Sequence, residues 1–341
     1  MKIFNHNQPV TDPSDILAVT KILESNMLSK SSVTQSLEAS LAEYLGKSYG
    51  LFTGNGSQAM ALLLEGLGVS SGDEVIMPSY VCEKVLLTVQ AIGAKPVLCD
   101  TNAFWVVSFE SIKSKISKKT KAIIVVHTQG INGYDEQLKT LNIPVIEDAC
   151  QSFGSLNKEK RTGSFTDYAF TSFHGTKTLP GGEGGMLFVN DEFIYSKTQK
   201  EASNNPRYTK GTDIISALVL SQFNRLKATL EKREILREVY RNNINPELNQ
   251  DFEKIAYQSM KFKYLLKSAK NFQEVKSQFL EYGIHVRQGV DCLNHRTLGL
   301  EDASFPSSVS LYNQTISIPI LPSMTENDAH FIASKANEIL M

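Results

Sequence analysis
Cysteine is scarce in this chain of 341 residues: Cys82, Cys99, Cys150 and Cys292 stand apart, without the paired spacing that holds a metal. That argues against a disulfide scaffold or a zinc module, so reduced, buried thiols are expected and no metal. Net charge is scarcer still. Lysine and arginine number 35 against 36 acids, a formal charge of −1, which leaves no basic excess to bring to nucleic acid. Long hydrophobic runs are missing too. Nothing approaches a membrane span, and the opening Met1 to Pro9 has no apolar stretch of signal-peptide length, so a cytoplasmic protein is expected. Internal repeats, low-complexity tracts and flexible linkers are also absent.

What is present is a composition that folds. Hydrophobic residues make up 41% and charged residues 21%, enough to bury one large core and a smaller one, so two domains are expected. Helical spacing marks an opening helix through Ile16, Val19, Ile22 and Leu23 and a second through Leu37, Leu41 and Leu45. From residue 49 strand and helix alternate. Strands are expected at 49–53, 74–77, 96–99, 122–126 and 144–147, with helices at 57–67, 81–92, 108–117 and 134–140 between them. This series predicts an α/β fold with a mostly parallel sheet covered by helices on both faces. After a helix near 192–203, one long helical pattern from Ile214 to Tyr240 links to a smaller α+β unit. That unit has strands at 261–266 and 315–318 and helices at 270–282 and from Thr325. The domains are therefore placed at 1–225 and 226–341.

Three segments carry chemistry. In the run from Ser172 to Gly185, Lys177 lies on a loop between apolar strands, with glycines behind it, a setting suited to an amine that forms an imine with a carbonyl cofactor. Earlier, Val145-Ile-Glu-Asp-Ala-Cys-Gln151 ends a buried strand in Asp148, an acid able to face the same cofactor. The third segment is Leu51-Phe-Thr-Gly-Asn-Gly-Ser-Gln-Ala59, where a strand runs through glycines into a helix whose first amides suit an anion. Gly56 and Ser57 are the expected phosphate contacts. Taken singly, a loop lysine is an ordinary solvated residue and a strand-terminal aspartate an ordinary cap. Their order and spacing together point to pyridoxal 5′-phosphate. The third segment also spells Gly54-x-Gly56-x-x-Ala59, a dinucleotide fingerprint, but Asp73 and Glu74 precede the next strand instead of ending it, so the nicotinamide reading fails.

With these elements in place, the chain resembles the DegT/StrS group of fold-type I pyridoxal-phosphate enzymes, the sugar-nucleotide aminotransferases. The likeness runs through Gly54-Asn-Gly-Ser-Gln-Ala, Ser71-Gly-Asp-Glu-Val-Ile-Met-Pro-Ser-Tyr80, Gly93-Ala-Lys-Pro-Val, Lys119 to His127, Val145 to Ser152 and Ser172 to Gly185. The resemblance implies that Lys177 is the Schiff-base lysine and that Asp148 partners the pyridine nitrogen. It further implies Gln151 beside the ring hydroxyl, Ser172 on the phosphate and His174 near the cofactor. Cys82 stands where relatives often stack an aromatic ring on the cofactor. The group's asparagine donated across a subunit interface has no counterpart in Arg207 to Asp213, where Lys210 or Tyr208 is the alternative. His295, in Asn294-His-Arg296, is the substrate candidate. The resemblance implies a homodimer that aminates a nucleotide-linked keto sugar, with glutamate or glutamine as donor, for surface polysaccharide or a related glycoside. Two other readings stand beside it: a catalytically silent sensor or scaffold of this fold, and a sugar dehydratase, whose relatives replace the lysine that this chain keeps.

Overall fold
A computed structural model describes residues 2–29, 31–256 and 262–341. Its main sheet grows from the apolar segments between residues 49 and 189. The strands are β1 (Tyr49–Thr53), β2 (Glu74–Pro78), β3 (Lys95–Cys99), β4 (Thr120–Val126) and β5 (Val145–Asp148). A two-residue hairpin, β6 (Leu156–Asn157) and β7 (Lys160–Arg161), precedes β8 (Tyr168–Ser172) and β9 (Gly185–Val189). Seven of them form one sheet in the order β1-β9-β8-β5-β4-β2-β3. All of its pairs are parallel except those made by β9, which is antiparallel to β8 and to β1.

Both faces are covered, as the apolar runs predict. Val75, Met77, Ile124 and Ile146 face one core with the helix Gly56–Gly66, while Ile76, Ile123, Val125 and Val145 face the other side. In that helix Leu62, Leu63 and Leu64 are fully buried, each stabilising the fold by about 1.5–3 kcal/mol relative to exposure. Helices Ser32–Leu45 and Asp213–Asn224 cover Phe52, Ala169, Met186 and Phe188 on the second face.

The expected strands at 49–53 and 315–318 are reproduced, and those at 74–77, 96–99, 122–126 and 144–147 shift at an end by one or two residues. The expected helix at 108–117 shrinks to Phe109–Lys113, and the segment at 134–140 forms a 3-10 turn over Glu136–Leu141. The long helical pattern is two helices, Asp213–Asn224 and Leu226–Asn243, broken at Arg225 (φ −104°, ψ 4°). Arg225 pairs there with Asp12 and with Asp15 (2.6 Å) of the opening helix, a contact that helical spacing does not encode.

The smaller unit pairs β10 (Tyr264–Lys267) antiparallel with β11 (Thr315–Ile318). Lys261 of the expected strand lies outside the described residues. Helices Pro246–Ala256 and Pro306–Gln314 join the expected Phe272–Glu281 and Glu326–Leu340. Their core also takes in Phe4, Tyr80, Trp105 and Ile131 from earlier in the chain, and Phe4 bridges to Ile284.

Candidate active site
Strand directions bring the sequence candidates to one edge. The carboxyl ends of β1, β4, β5 and β8 and the amino end of β9 lie together, where ligands of open α/β sheets collect. Close backbone contact at that edge explains the glycines. A Cβ on Gly185 would sit 2.4 Å from the Asn55 carbonyl carbon, and one on Gly56 would sit 3.0 Å from the Ser172 Cβ and 3.5 Å from the Cys150 Sγ. The Asn55 side chain accepts from the Gln58 amide (2.9 Å), leaving the Gly56 and Ser57 amides in the open first turn beside the Ser172 hydroxyl. Free amides at a helix start, with the positive end of its dipole, are chemically suited to an anion.

Asp148 closes β5 with only 5% exposure, and its Oδ1 accepts from the Cys150 amide (2.9 Å). Burial pushes the Cys150 thiol well up; the Asp148 carboxylate adds to the rise and the Lys177 ammonium opposes it. Those three groups therefore share one electrostatic neighbourhood, and Cys82 contributes to it as well. The Gln151 Oε1 accepts from the Gln129 amide (2.9 Å), and Gln129, in left-handed conformation at φ 54°, donates through Nε2 to the Gly289 carbonyl (3.0 Å). The Lys177 amide is held by the His174 carbonyl (2.8 Å), and its Nζ lies 5.9 Å from the Phe262 ring centroid.

Behind Asp148, the fully buried His127 and Glu147 form a pair that the sequence candidates did not include. The His127 Nε2 meets the Glu147 Oε2 at 2.9 Å, while the Gly133 amide donates to Nδ1 (3.1 Å). Glu147 accepts in addition from the Gly163 amide (2.7 Å) and the Thr166 amide (2.8 Å). A buried histidine one residue past β4, and a buried glutamate on the neighbouring parallel strand next to Asp148, are the signal that could have found them.

Several expectations change. His295 is not open to a substrate: it is fully buried, stacked on Phe305 at 4.3 Å, with Nδ1 2.7 Å from the Ser79 Oγ and Nε2 3.0 Å from Asp302. Both ring nitrogens are used, so its role is packing. His174 turns outward, half exposed, with Nδ1 2.9 Å from the Thr176 Oγ1. Cys82 is exposed, contrary to the expectation of buried thiols, because it caps the helix Glu83–Ala91 at the open edge. Tyr80 is buried in the smaller unit's core and cannot take its place on a cofactor ring. Tyr208 is committed to Glu65 (2.5 Å), whereas Lys210 bridges to Thr53. Among the described residues no cluster of metal ligands occurs, and no helix is long and apolar enough to cross a membrane.

Comparisons with known proteins converge. The family model for DegT/DnrJ/EryC1/StrS aminotransferases matches residues 9–336. GDP-perosamine synthase of Escherichia coli O157:H7 is 28% identical over 359 residues, covering 99% of both chains. The spore coat polysaccharide biosynthesis protein SpsC of Bacillus subtilis is 25% identical over 98% of this chain and 96% of its own. Among solved structures, the PLP form of the putative sugar aminotransferase Spr1654 from Streptococcus pneumoniae shares the fold, with a TM-score of 0.85 at 19% identity over the whole of both chains.

Proposed function
The chain belongs to the DegT/DnrJ/EryC1/StrS aminotransferase family, whose cofactor is pyridoxal 5′-phosphate, and from that premise we propose that it aminates a keto sugar carried on a nucleotide. Glutamate or glutamine is the proposed donor, and surface polysaccharide or a related glycoside the destination. The names of the perosamine synthase and the spore coat protein support the sugar and the polysaccharide. The observation that carries the reading is the convergence of Gly56, Ser172, Asp148 and Lys177 on one sheet edge.

The residues fit the cofactor. Gly56, Ser57 and Ser172 would hold its phosphate at the helix start. The buried Asp148 carboxylate would keep the ring nitrogen protonated, and Gln151 would face the ring hydroxyl. Cys82 would lie along the ring, offering an apolar thiol where an aromatic would offer a larger surface. His174 would act at the edge of the site. When bound, the cofactor supplies a carbon that accepts the amino group and a ring that accepts electrons from the substrate. Lys177 would hold it covalently at rest and, once released, carry a proton to and from the substrate carbon.

We place the two domains at 1–225 and 226–341 and the protein in the cytoplasm as a homodimer. Ile16, Leu17, Met27 and Leu28 are exposed on and after the opening helix, an apolar strip that a second copy would cover. The test is a screen of nucleotide-linked keto sugars with glutamate and glutamine, read by the cofactor's absorbance and by product mass. A yellow protein that exchanges an amino group with no donor would return the reading to a silent scaffold.

A further inference from the structure
Gln129 is held from two sides. It follows β4 of the main sheet, only 4% exposed, with its backbone in the left-handed region at φ 54° and ψ 23°. Its amide donates to the Gln151 Oε1 (2.9 Å), and its side-chain Nε2 donates to the Gly289 carbonyl (3.0 Å). Gly289 belongs to the smaller unit. The loop that carries it is tied to β11 by reciprocal backbone bonds between Arg287 and Ser317 (3.1 and 2.7 Å), and to the helix Pro306–Gln314 by Gln288, whose Nε2 donates to the Tyr312 carbonyl (2.8 Å). The same loop presses on Tyr80, just past β2: a Cβ on Gly289 would sit 2.0 Å from the Tyr80 hydroxyl oxygen.

A left-handed backbone is unfavourable for a residue that carries a side chain, so Gln129 needs support from outside its own turn. Among the described residues its buried Oε1 finds no partner, which makes the Gly289 carbonyl the side chain's one polar anchor. Breaking that bond would leave a buried donor and a buried carbonyl unpaired. The consequence reaches Gln151. A backbone N–H can only donate, so the Gln151 carboxamide must turn its oxygen toward Gln129, and its NH2 is the end that remains to face the site. A donor presented there suits the ring oxygen of the cofactor.

We propose that Gln129 is a positioning residue, through which the seating of the smaller unit at Gly289 sets the Gln151 carboxamide on the cofactor's ring oxygen. The inference rests on the reading of Gln151 given above and adds the residues that orient it. When the Gly289 carbonyl withdraws, Gln129 loses its anchor and Gln151 is free to rotate.

The experiment compares release of pyridoxal 5′-phosphate with release of its 3-deoxy analogue, which lacks the ring hydroxyl, from loaded wild type and from Gln151→Ala, Gln129→Met, Gly289→Ala and Gly289→Ala/Tyr80→Phe. Gln151→Ala sets the scale: it should speed loss of pyridoxal phosphate about tenfold and leave the analogue unchanged. Gln129→Met keeps the backbone amide and loses the anchor, so it should speed loss of pyridoxal phosphate about three- to tenfold, with the analogue again unchanged. Added to Gln151→Ala it should have no further effect. Gly289→Ala sets a Cβ against the Tyr80 hydroxyl and should behave as Gln129→Met does. Tyr80→Phe in the same chain should restore slow release, because the nearest ring carbon then stands 3.1 Å away. A Gly289→Ala chain that fails to fold leaves the decision to Gln129→Met. Equal acceleration of both cofactors in Gln129→Met overturns the coupling, since a loosened fold does not tell the two rings apart, and so does unchanged release of pyridoxal phosphate. Gln151→Ala that treats the two cofactors alike would sink the reading of Gln151 itself, and the inference with it.

Discussion

His127 and Glu147 are buried as deeply as Lys263 and Arg233, yet the two groups of charges are treated in opposite ways. Glu147 collects donors from His127, from two backbone amides and from the Thr166 hydroxyl, and the Gly133 amide on Nδ1 assigns the histidine proton to Nε2. Every lone pair in that network has work within the fold, which suits a rigid backing for Asp148. Around Phe262, Lys263, Lys177 and Arg233 gather, and burial together with the positive charges of Arg233, Arg287 and Lys177 pushes the Lys263 ammonium down. A saturated buried network marks structure.

The sharpest way to break this comparison is at the reactive lysine itself. Lys177→Ala should lower turnover by about 10³-fold or more, since it removes covalent attachment and proton transfer together. Borohydride reduction of wild type should fix the cofactor on the peptide containing Lys177; an adduct on another lysine would undo the whole assignment. Asp148→Asn should keep the covalent adduct and lose most of the chemistry, because an amide cannot hold the ring nitrogen protonated. Near-normal single-turnover rates would reduce Asp148 to a helix cap.

On the structural side, Glu147→Ala should cost about 3–5 kcal/mol of stability, as it strands His127 and two buried amides. Urea denaturation decides, and a loss under about 1 kcal/mol would deny the network its structural role. Lys263→Met should act in the other direction. Because the native pKa of Lys263 is held below that of the unfolded chain, the unfolded state binds the proton more tightly, and burial destabilises the fold fully at pH below the native pKa. That cost fades as pH rises from the native pKa toward the ordinary value of 10.5. The variant should therefore melt a few degrees higher at neutral pH without ligand, with the gain shrinking toward pH 10. A lower melting temperature at every pH would show that the ammonium is stabilising where it stands.

The smallest effect belongs to Cys82. Replacement by Phe should hold or tighten the cofactor by covering more of its ring, and replacement by Asp should loosen it by desolvating a carboxylate. Equal cofactor off-rates in all three proteins would move Cys82 off the ring.

Much of this architecture was legible in the chain. β-branched runs such as Ala122 to Val126 specify buried strands, and glycines at 54, 56, 184 and 185 mark the close backbone approach of two loops. Asp148 was legible as a candidate because it ends a buried strand, and Lys177 because it lies on a glycine-rich loop between two apolar strands. The hairpin Leu156 to Arg161 escaped because two residues per strand leave no period to detect. His295 misled because a polar triplet reads alike on a surface and in a core; its burial depends on Phe305 and on Ser79, more than two hundred residues away in sequence.

By itself the sequence determined the order of strands and helices, the glycine-lined loops and the pairing of a lysine with an acid, since hydrophobic period and backbone freedom act over a few residues. Tertiary structure alone decided the break at Arg225, the saturation of Glu147 and the gathering of Lys177, Arg233 and Lys263 around Phe262. Those outcomes are set by which distant side chains meet, and by the loss of water between them, a quantity that no local pattern carries.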